Sequence, residues 1–242
     1  MSGKRDRAVE RRDDATAGSG TGAVQEFLSK VAAMPHAHAA GQRGRLLFVM
    51  DATASRDASW DTACQIQGDM FAETSTLGGL DVQLAYYRGL REFRATPWVS
   101  SSADLIPYMS RVRCLGGHTQ LGRALRYARK ESGSRPINAV VFVGDCFEED
   151  PDAVCQIAGE LGMLKVPVFI FHEGGEPGAA RVFRQIASLS KGAYCPFDSS
   201  SPQQLRELLA AVAVYAAGGR RALLSYGAGR QGPVLQLTHQ MK

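Results

Sequence analysis

Short, unbroken apolar runs alternate with helix-periodic segments along most of this 242-residue chain. Residues 45–50, 137–144 and 166–171 are runs of the first kind, rich in Val, Leu, Ile and Phe. A strand with one solvated face alternates apolar and polar residues, so a run without alternation reads as a strand covered on both faces. Between the runs lie residues 60–74, 102–112, 120–131, 151–164 and 178–190, whose apolar positions recur at helical spacing. Strands joined by helices of this length need crossover connections. The expected architecture is therefore α/β: a Rossmann-like, doubly wound, mainly parallel sheet with helices on both faces. Residues 80–88 and 92–99 are joined by Gly89-Leu90-Arg91 in hairpin fashion and add one antiparallel edge strand. Residues 192–197 read as a last short strand.

Helix signals punctuate this body. Asp150 before Pro151 is an N-cap followed by proline in the first turn. Ser201-Pro202-Gln203-Gln204 has the spacing of a capping box and opens a last helix, which runs to about Ala217 and stops at Gly218-Gly219. Residues 1–22 mix opposite charges and then turn to small residues, the composition of a disordered tail. Residues 23–44 hold a helix with Val24, Phe27, Leu28 and Val31 on one face, then a linker containing His36 and His38. The expected organisation is tail 1–22, helix and linker 23–44, main domain 45–217 and C-terminal extension 218–242.

Composition excludes several classes. The net charge of +4 is too weak to imply nucleic acid. From residue 181 onward eight Lys or Arg face two acids, but no aromatic residues interleave with them as a base-stacking platform, so nucleic acid is not expected. The five cysteines are odd in number and none has C-x-x-C spacing. The N-terminus carries no apolar leader, and the uncharged segment 208–219 falls short of the roughly 20 residues of a membrane span. A cytoplasmic protein with free thiols and no membrane association is expected.

The first apolar run ends in Asp51-Ala52-Thr53-Ala54-Ser55, a carboxylate and two hydroxyls spaced Asp-x-Thr-x-Ser. The central run ends at Asp145. Open α/β sheets bind ligands beyond the carboxyl ends of their strands, so both carboxylates should emerge on one rim. A third segment, Gly116-Gly117-His118-Thr119 through Leu125, has two glycines that permit close backbone approach. Its Thr119 stands at a helix start with its hydroxyl free to point toward the rim. Oxygen donors of this kind suit a hard divalent cation such as Mg²⁺. Of the neighbours, Arg56 reads as a solvent-facing residue at a helix start and His118 as a surface-loop histidine. Glu148, Glu149 and Asp150 read as acids ahead of a helix N-terminus, and Cys146 as a buried thiol with no base beside it.

These three pieces, in this order, resemble the von Willebrand factor type A (VWA) domain over roughly residues 45–217. Its metal-ion-dependent adhesion site (MIDAS) uses Asp-x-Ser-x-Ser, a Thr in a Gly-Gly-x-Thr-x-x-Gly-x-Ala-Leu setting, and an Asp after a central strand. The resemblance implies that Asp51, Thr53, Ser55, Thr119 and Asp145 hold the metal: Mg²⁺, with Mn²⁺ or Ca²⁺ as alternatives. Thr53 replaces the commoner Ser, and Gly144-Asp145-Cys146 replaces the frequent Thr-Asp-Gly; neither change removes a ligand atom. In the family the hydroxyls coordinate directly, the carboxylates act partly through water, and a carboxylate of a partner protein completes the shell. The implied function is a protein-interaction module rather than an enzyme, with a AAA+ ATPase among the partner types and a last helix that shifts on occupancy. The alternative, a Mg-dependent hydrolase of phosphate esters, lacks support: the Asp-x-Asp of one phosphatase pattern has Thr53 at its second position, and no phosphate loop or Gly-x-Ser-x-Gly is present.

Overall fold

The apolar runs assemble into a six-stranded sheet in a computed structural model that describes residues 26, 29, 43–74, 79–198 and 202–228. In chain order the elements are β1 (Gly44–Asp51), a 3-10 turn (Ala54–Arg56), α1 (Asp57–Thr74), β2 (Leu80–Arg88), β3 (Glu92–Ala95), α2 (Ser102–Met109) and α3 (Leu121–Ser134). There follow β4 (Ala139–Gly144), α4 (Pro151–Met163), β5 (Val168–Glu173), α5 (Pro177–Leu189), β6 (Tyr194–Phe197) and α6 (Pro202–Ala228). The strand order is β3-β2-β1-β4-β5-β6, and only the β2–β3 edge pair is antiparallel. This is the doubly wound arrangement expected, with its antiparallel strand at the edge.

Side-chain alternation along β1 divides the core. Leu46, Phe48 and Met50 pack with Trp60, Ile66 and Met70 of α1, Leu105 of α2, and Leu208 and Val212 of α6. Leu47 and Val49 point the other way, toward Leu121 and Leu125 of α3, Val154 and Leu161 of α4, and Phe183 and Ile186 of α5. Each such side chain, once fully buried, contributes about 1.5–3 kcal/mol from removal of apolar surface. With every β1 residue buried, neither face of the central strand is open to solvent, and function is confined to its ends.

Three elements differ from expectation. β3 stops at Ala95 because Pro97 has no N–H for the ladder; an isolated bridge between Val82 and Val99 is what continues the pairing. α2 ends at Met109 rather than Val112, and its cap is Ser101, whose side chain accepts from Asp104 N at 3.2 Å. The last helix does not stop at the glycine pair: Gly219 takes φ 66° and kinks the chain, and helix resumes to Ala228. The expected tail 1–22, most of the helix at 24–33, the linker histidines His36 and His38, Ser201 of the capping box, and residues 229–242 lie outside the described residues.

Candidate metal centre

β1 and β4 run parallel with Met50 opposite Val143, so both strands end at the same rim of the sheet. Asp51, the last residue of β1, is fully buried. Its Oδ1 accepts from the Thr53 backbone N–H at 2.8 Å. Its Oδ2 accepts from the Tyr87 hydroxyl at 3.2 Å, because β2 places Tyr87 directly opposite Asp51 in the register. Burial pushes the Asp51 carboxyl up; the bonds from Thr53 pull it back, and the charge of Asp145 raises it again. Burial, with Asp51 next in weight, also holds the Tyr87 phenol well above its ordinary range.

Thr53 precedes the 3-10 turn, yet its side chain makes no capping bond there. Its Oγ1 instead lies 3.5 Å from Ser55 Oγ. Ser55 Oγ in turn donates to Asp145 Oδ2 at 2.7 Å. Asp51, Thr53, Ser55 and Asp145 thus form one hydrogen-bonded string across the rim. The other oxygen of Asp145, Oδ1, is buried with no hydrogen-bond partner. An orphaned carboxylate oxygen inside a set of hard donors is a costly arrangement unless something electropositive faces it. These residues therefore fit a hard cation by donor type and by that unmet oxygen. Among the described residues no three His, Cys, Asp or Glu side chains cluster as a metal site, so any site here needs its hydroxyls.

Thr119 sits on the adjoining loop, 5% exposed. Its hydroxyl is not free: Oγ1 accepts from Glu148 N at 2.9 Å, and Thr119 N donates to Glu148 Oε2 at 3.2 Å. A hydroxyl that accepts once keeps a second lone pair and its proton. This reciprocal pair fastens Thr119 to the loop that follows Asp145. On the other side Leu115 N donates to Ala52 O at 2.9 Å, which lays the same segment against the Asp-x-Thr-x-Ser turn. Gly117 makes this possible, since a Cβ there would stand 2.0 Å from Gly89 O.

Several neighbours of the candidate site escape a reading of the sequence. Arg56 is not solvent-facing: it is 1% exposed and ion-pairs with Glu173 at the end of β5, while its Nε and Nη2 are buried without partners. Glu149 does not serve the helix that follows it; it crosses to cap α3, accepting from Gly122 N at 3.0 Å and also from Leu121 N. His172 is fully buried and brackets the site from β5, with Nε2 2.9 Å from Asp145 O and Nδ1 2.9 Å from the Tyr194 hydroxyl. Only the last has a sequence signal, a histidine placed directly after an apolar run. All five cysteines are free thiols, and Cys146, beside Asp145, is pushed up to about 12 chiefly by burial.

No family model and no curated protein matches the sequence. Solved structures do. A von Willebrand factor type A protein from Catenulispora acidiphila superposes with a TM-score of 0.59 at 17% identity, over 72% of this chain and 43% of that one. The VWA domain of SpRpn10 gives 0.56 at 12%, over 73% and 97%. Proximal thread matrix protein 1 of the mussel byssus, with a zinc-occupied MIDAS motif, gives 0.51 at 18%, over 71% and 46%. The fold is that of a von Willebrand factor type A domain. This VWA-fold chain spans under half of the Catenulispora and byssus proteins and nearly all of the SpRpn10 domain. Among the described residues no helix is long and apolar enough to cross a membrane.

Proposed function

We propose that this chain is a metal-dependent protein-interaction module. Asp51, Thr53, Ser55, Thr119 and Asp145 would hold a divalent cation, Mg²⁺ by preference with Mn²⁺ or Ca²⁺ as substitutes. A bound cation of this kind supplies an electropositive centre that accepts an oxygen ligand from outside. The chain's own residues do the rest. Tyr87 and the Thr53 N–H orient the Asp51 carboxylate, Ser55 steers Asp145, and Glu148 anchors Thr119. The observation that carries this reading is the buried, unpartnered Oδ1 of Asp145 at the end of the Asp51–Thr53–Ser55 string.

The partner is read as a protein presenting a carboxylate; a AAA+ ATPase is the type the family resemblance suggests. The zinc-occupied MIDAS motif of the mussel protein supports divalent binding at this fold position in general terms. Thr53 at the second position of the Asp-x-Asp pattern and the absence of a phosphate loop favour binding over catalysis. Five free thiols favour a reducing compartment, hence the cytoplasm.

The test is a Mn²⁺ titration of the wild type, Asp51→Ala and Thr119→Ala, with circular dichroism to confirm folding. The reading expects saturable binding in the wild type and its loss in both variants. Equal affinity in all three proteins removes it.

A further inference from the structure

The rim around the metal-site residues is divided by charge. On the β4–β5 flank lie Asp145, Glu148 and Asp150. On the β2–β3 flank lie Arg88, Arg91, Arg94, Arg113 and Arg123, with Glu92 as the acid that Arg88 and Arg94 share. Hydrogen bonds weld this flank into one surface. Arg88 Nη1 donates to Arg113 O at 2.7 Å, Arg123 Nη1 donates to Arg91 O at 2.7 Å, and Gly89 N donates to Leu115 O at 3.2 Å. Two links join it to the candidate ligands: the Leu115–Ala52 backbone bond, and Tyr87, which touches Asp51 and runs directly into the Arg88–Arg91 turn.

A hollow of about 540 Å³ opens on this flank, bordered by Leu90, Arg91, Phe93, Arg94, Leu115 and Arg123. Leu90 is 72% exposed and Leu115 54% exposed. Two exposed leucines in a hollow also lined by Arg91, Arg94 and Arg123, with Glu92 the one acid among them, are an apolar anchor with a mainly cationic border, the anatomy of a small protein-docking surface. This border does not read nucleic acid well. Its one aromatic side chain, Phe93, packs on Tyr127 with ring centroids 5.4 Å apart and lies under the Arg123 guanidinium, so it offers no clear face to a base.

We infer that this face docks an acidic, leucine-bearing segment of the same partner protein whose carboxylate reaches the metal. The inference rests on the metal-dependent reading above and adds the partner's character. Apolar side chains of the segment fill the hollow over Leu90 and Leu115, and its further carboxylates meet Arg91, Arg94 and Arg123. Charge complementarity of this kind steers encounter and fixes the direction in which the segment lies across the rim.

The probe is a fluorescein-labelled peptide of about twelve residues alternating Asp or Glu with Leu, read by fluorescence polarisation in Mg²⁺ buffer. Leu90→Ser and Arg91→Glu are the variants, because both side chains stand on the exposed turn outside the strand ladder. Wild type should bind the peptide, with about threefold weakening in Leu90→Ser and about tenfold or more in Arg91→Glu, while both keep wild-type Mn²⁺ affinity. A peptide with Asn and Gln in place of the acids should not compete. The inference is overturned if wild type ignores the peptide, if both variants bind it as wild type does, or if a single-stranded oligonucleotide of equal charge binds more tightly. If Asp51→Ala loses Mn²⁺ and these failures still occur, the metal reading stands and the docking face alone falls. If Asp51→Ala keeps Mn²⁺, the metal reading falls and takes this inference with it.

Discussion

Ser55 Oγ lies 2.7 Å from Asp145 Oδ2 and joins the turn after β1 to the end of β4. That one bond leaves Asp145 Oδ1 without a partner, and the carboxylate half-satisfied. Asp145→Asn keeps the shape and removes the charge that a cation needs. We predict that it weakens Mn²⁺ binding at least about tenfold, read by isothermal titration, with the circular dichroism spectrum unchanged. Undiminished affinity in this variant would show that Asp145 is only a structural partner of Ser55.

Metal should also stabilise the fold, because a ligand that binds only the native state adds RT ln(1 + [L]/Kd), about 2.7 kcal/mol at 100 times Kd. A thermal melt in saturating Mg²⁺ should therefore lie several degrees above one in chelator. Asp51→Ala should show the same melting temperature in both. A wild-type melt indifferent to Mg²⁺ and Mn²⁺ would count against a native metal site.

Tyr87→Phe keeps the buried ring and its stacking on Phe142 at 6.4 Å but withdraws the hydroxyl from Asp51 Oδ2. A buried carboxylate oxygen that loses a donor costs about 1–3 kcal/mol. Urea unfolding should show that loss in chelator and a smaller one in Mg²⁺, where the cation faces the same carboxylate. An equal loss in both conditions would place Asp51 outside the metal's reach.

Much of this molecule can be read from its residues, and the boundary is physical. Continuous apolar runs reveal strands covered on both faces, and crossover lengths reveal that the strands are parallel. Together these put Asp51 and Asp145 on one rim, where the register of β1 on β4 indeed sets them. What periodicity does not report is a polar pairing between distant segments. Arg56 follows a turn of hydroxyls and looks exposed, yet Glu173, 117 positions later, draws it into the interior. Glu149 precedes one helix and caps another, and the Thr119 hydroxyl meets the backbone of Glu148. Gly219 looks like a helix stop, but a left-handed glycine also permits a kink between two helices.

The Arg56–Glu173 pair offers a separate test of the rim's rigidity. Arg56 is 1% exposed and Glu173 13% exposed on their side chains, so removing one partner leaves a charge in a poorly hydrated place. We predict that Arg56→Met destabilises by about 3–5 kcal/mol in urea. The double variant Arg56→Met, Glu173→Gln should recover part of that loss. Strictly additive single effects would mean that the two side chains do not act as a pair.

Gly117 tests whether the Thr119 loop must lie against the hairpin. A methyl group at this position meets Gly89 O at 2.0 Å, so Gly117→Ala must push the two segments apart. Metal affinity should fall while the six-stranded sheet keeps its circular dichroism signature. Gly116→Ala, with no atom within 4 Å of its added carbon, is the matched control and should bind metal as wild type does.

The central claim is that Asp51, Thr53, Ser55, Thr119 and Asp145 share one cation, and anomalous diffraction from crystals grown in Mn²⁺ tests it most directly. The account predicts a single strong manganese peak among those five side chains and none there in Asp51→Ala crystals. A peak elsewhere, or no peak at the rim in saturating Mn²⁺, would contradict it.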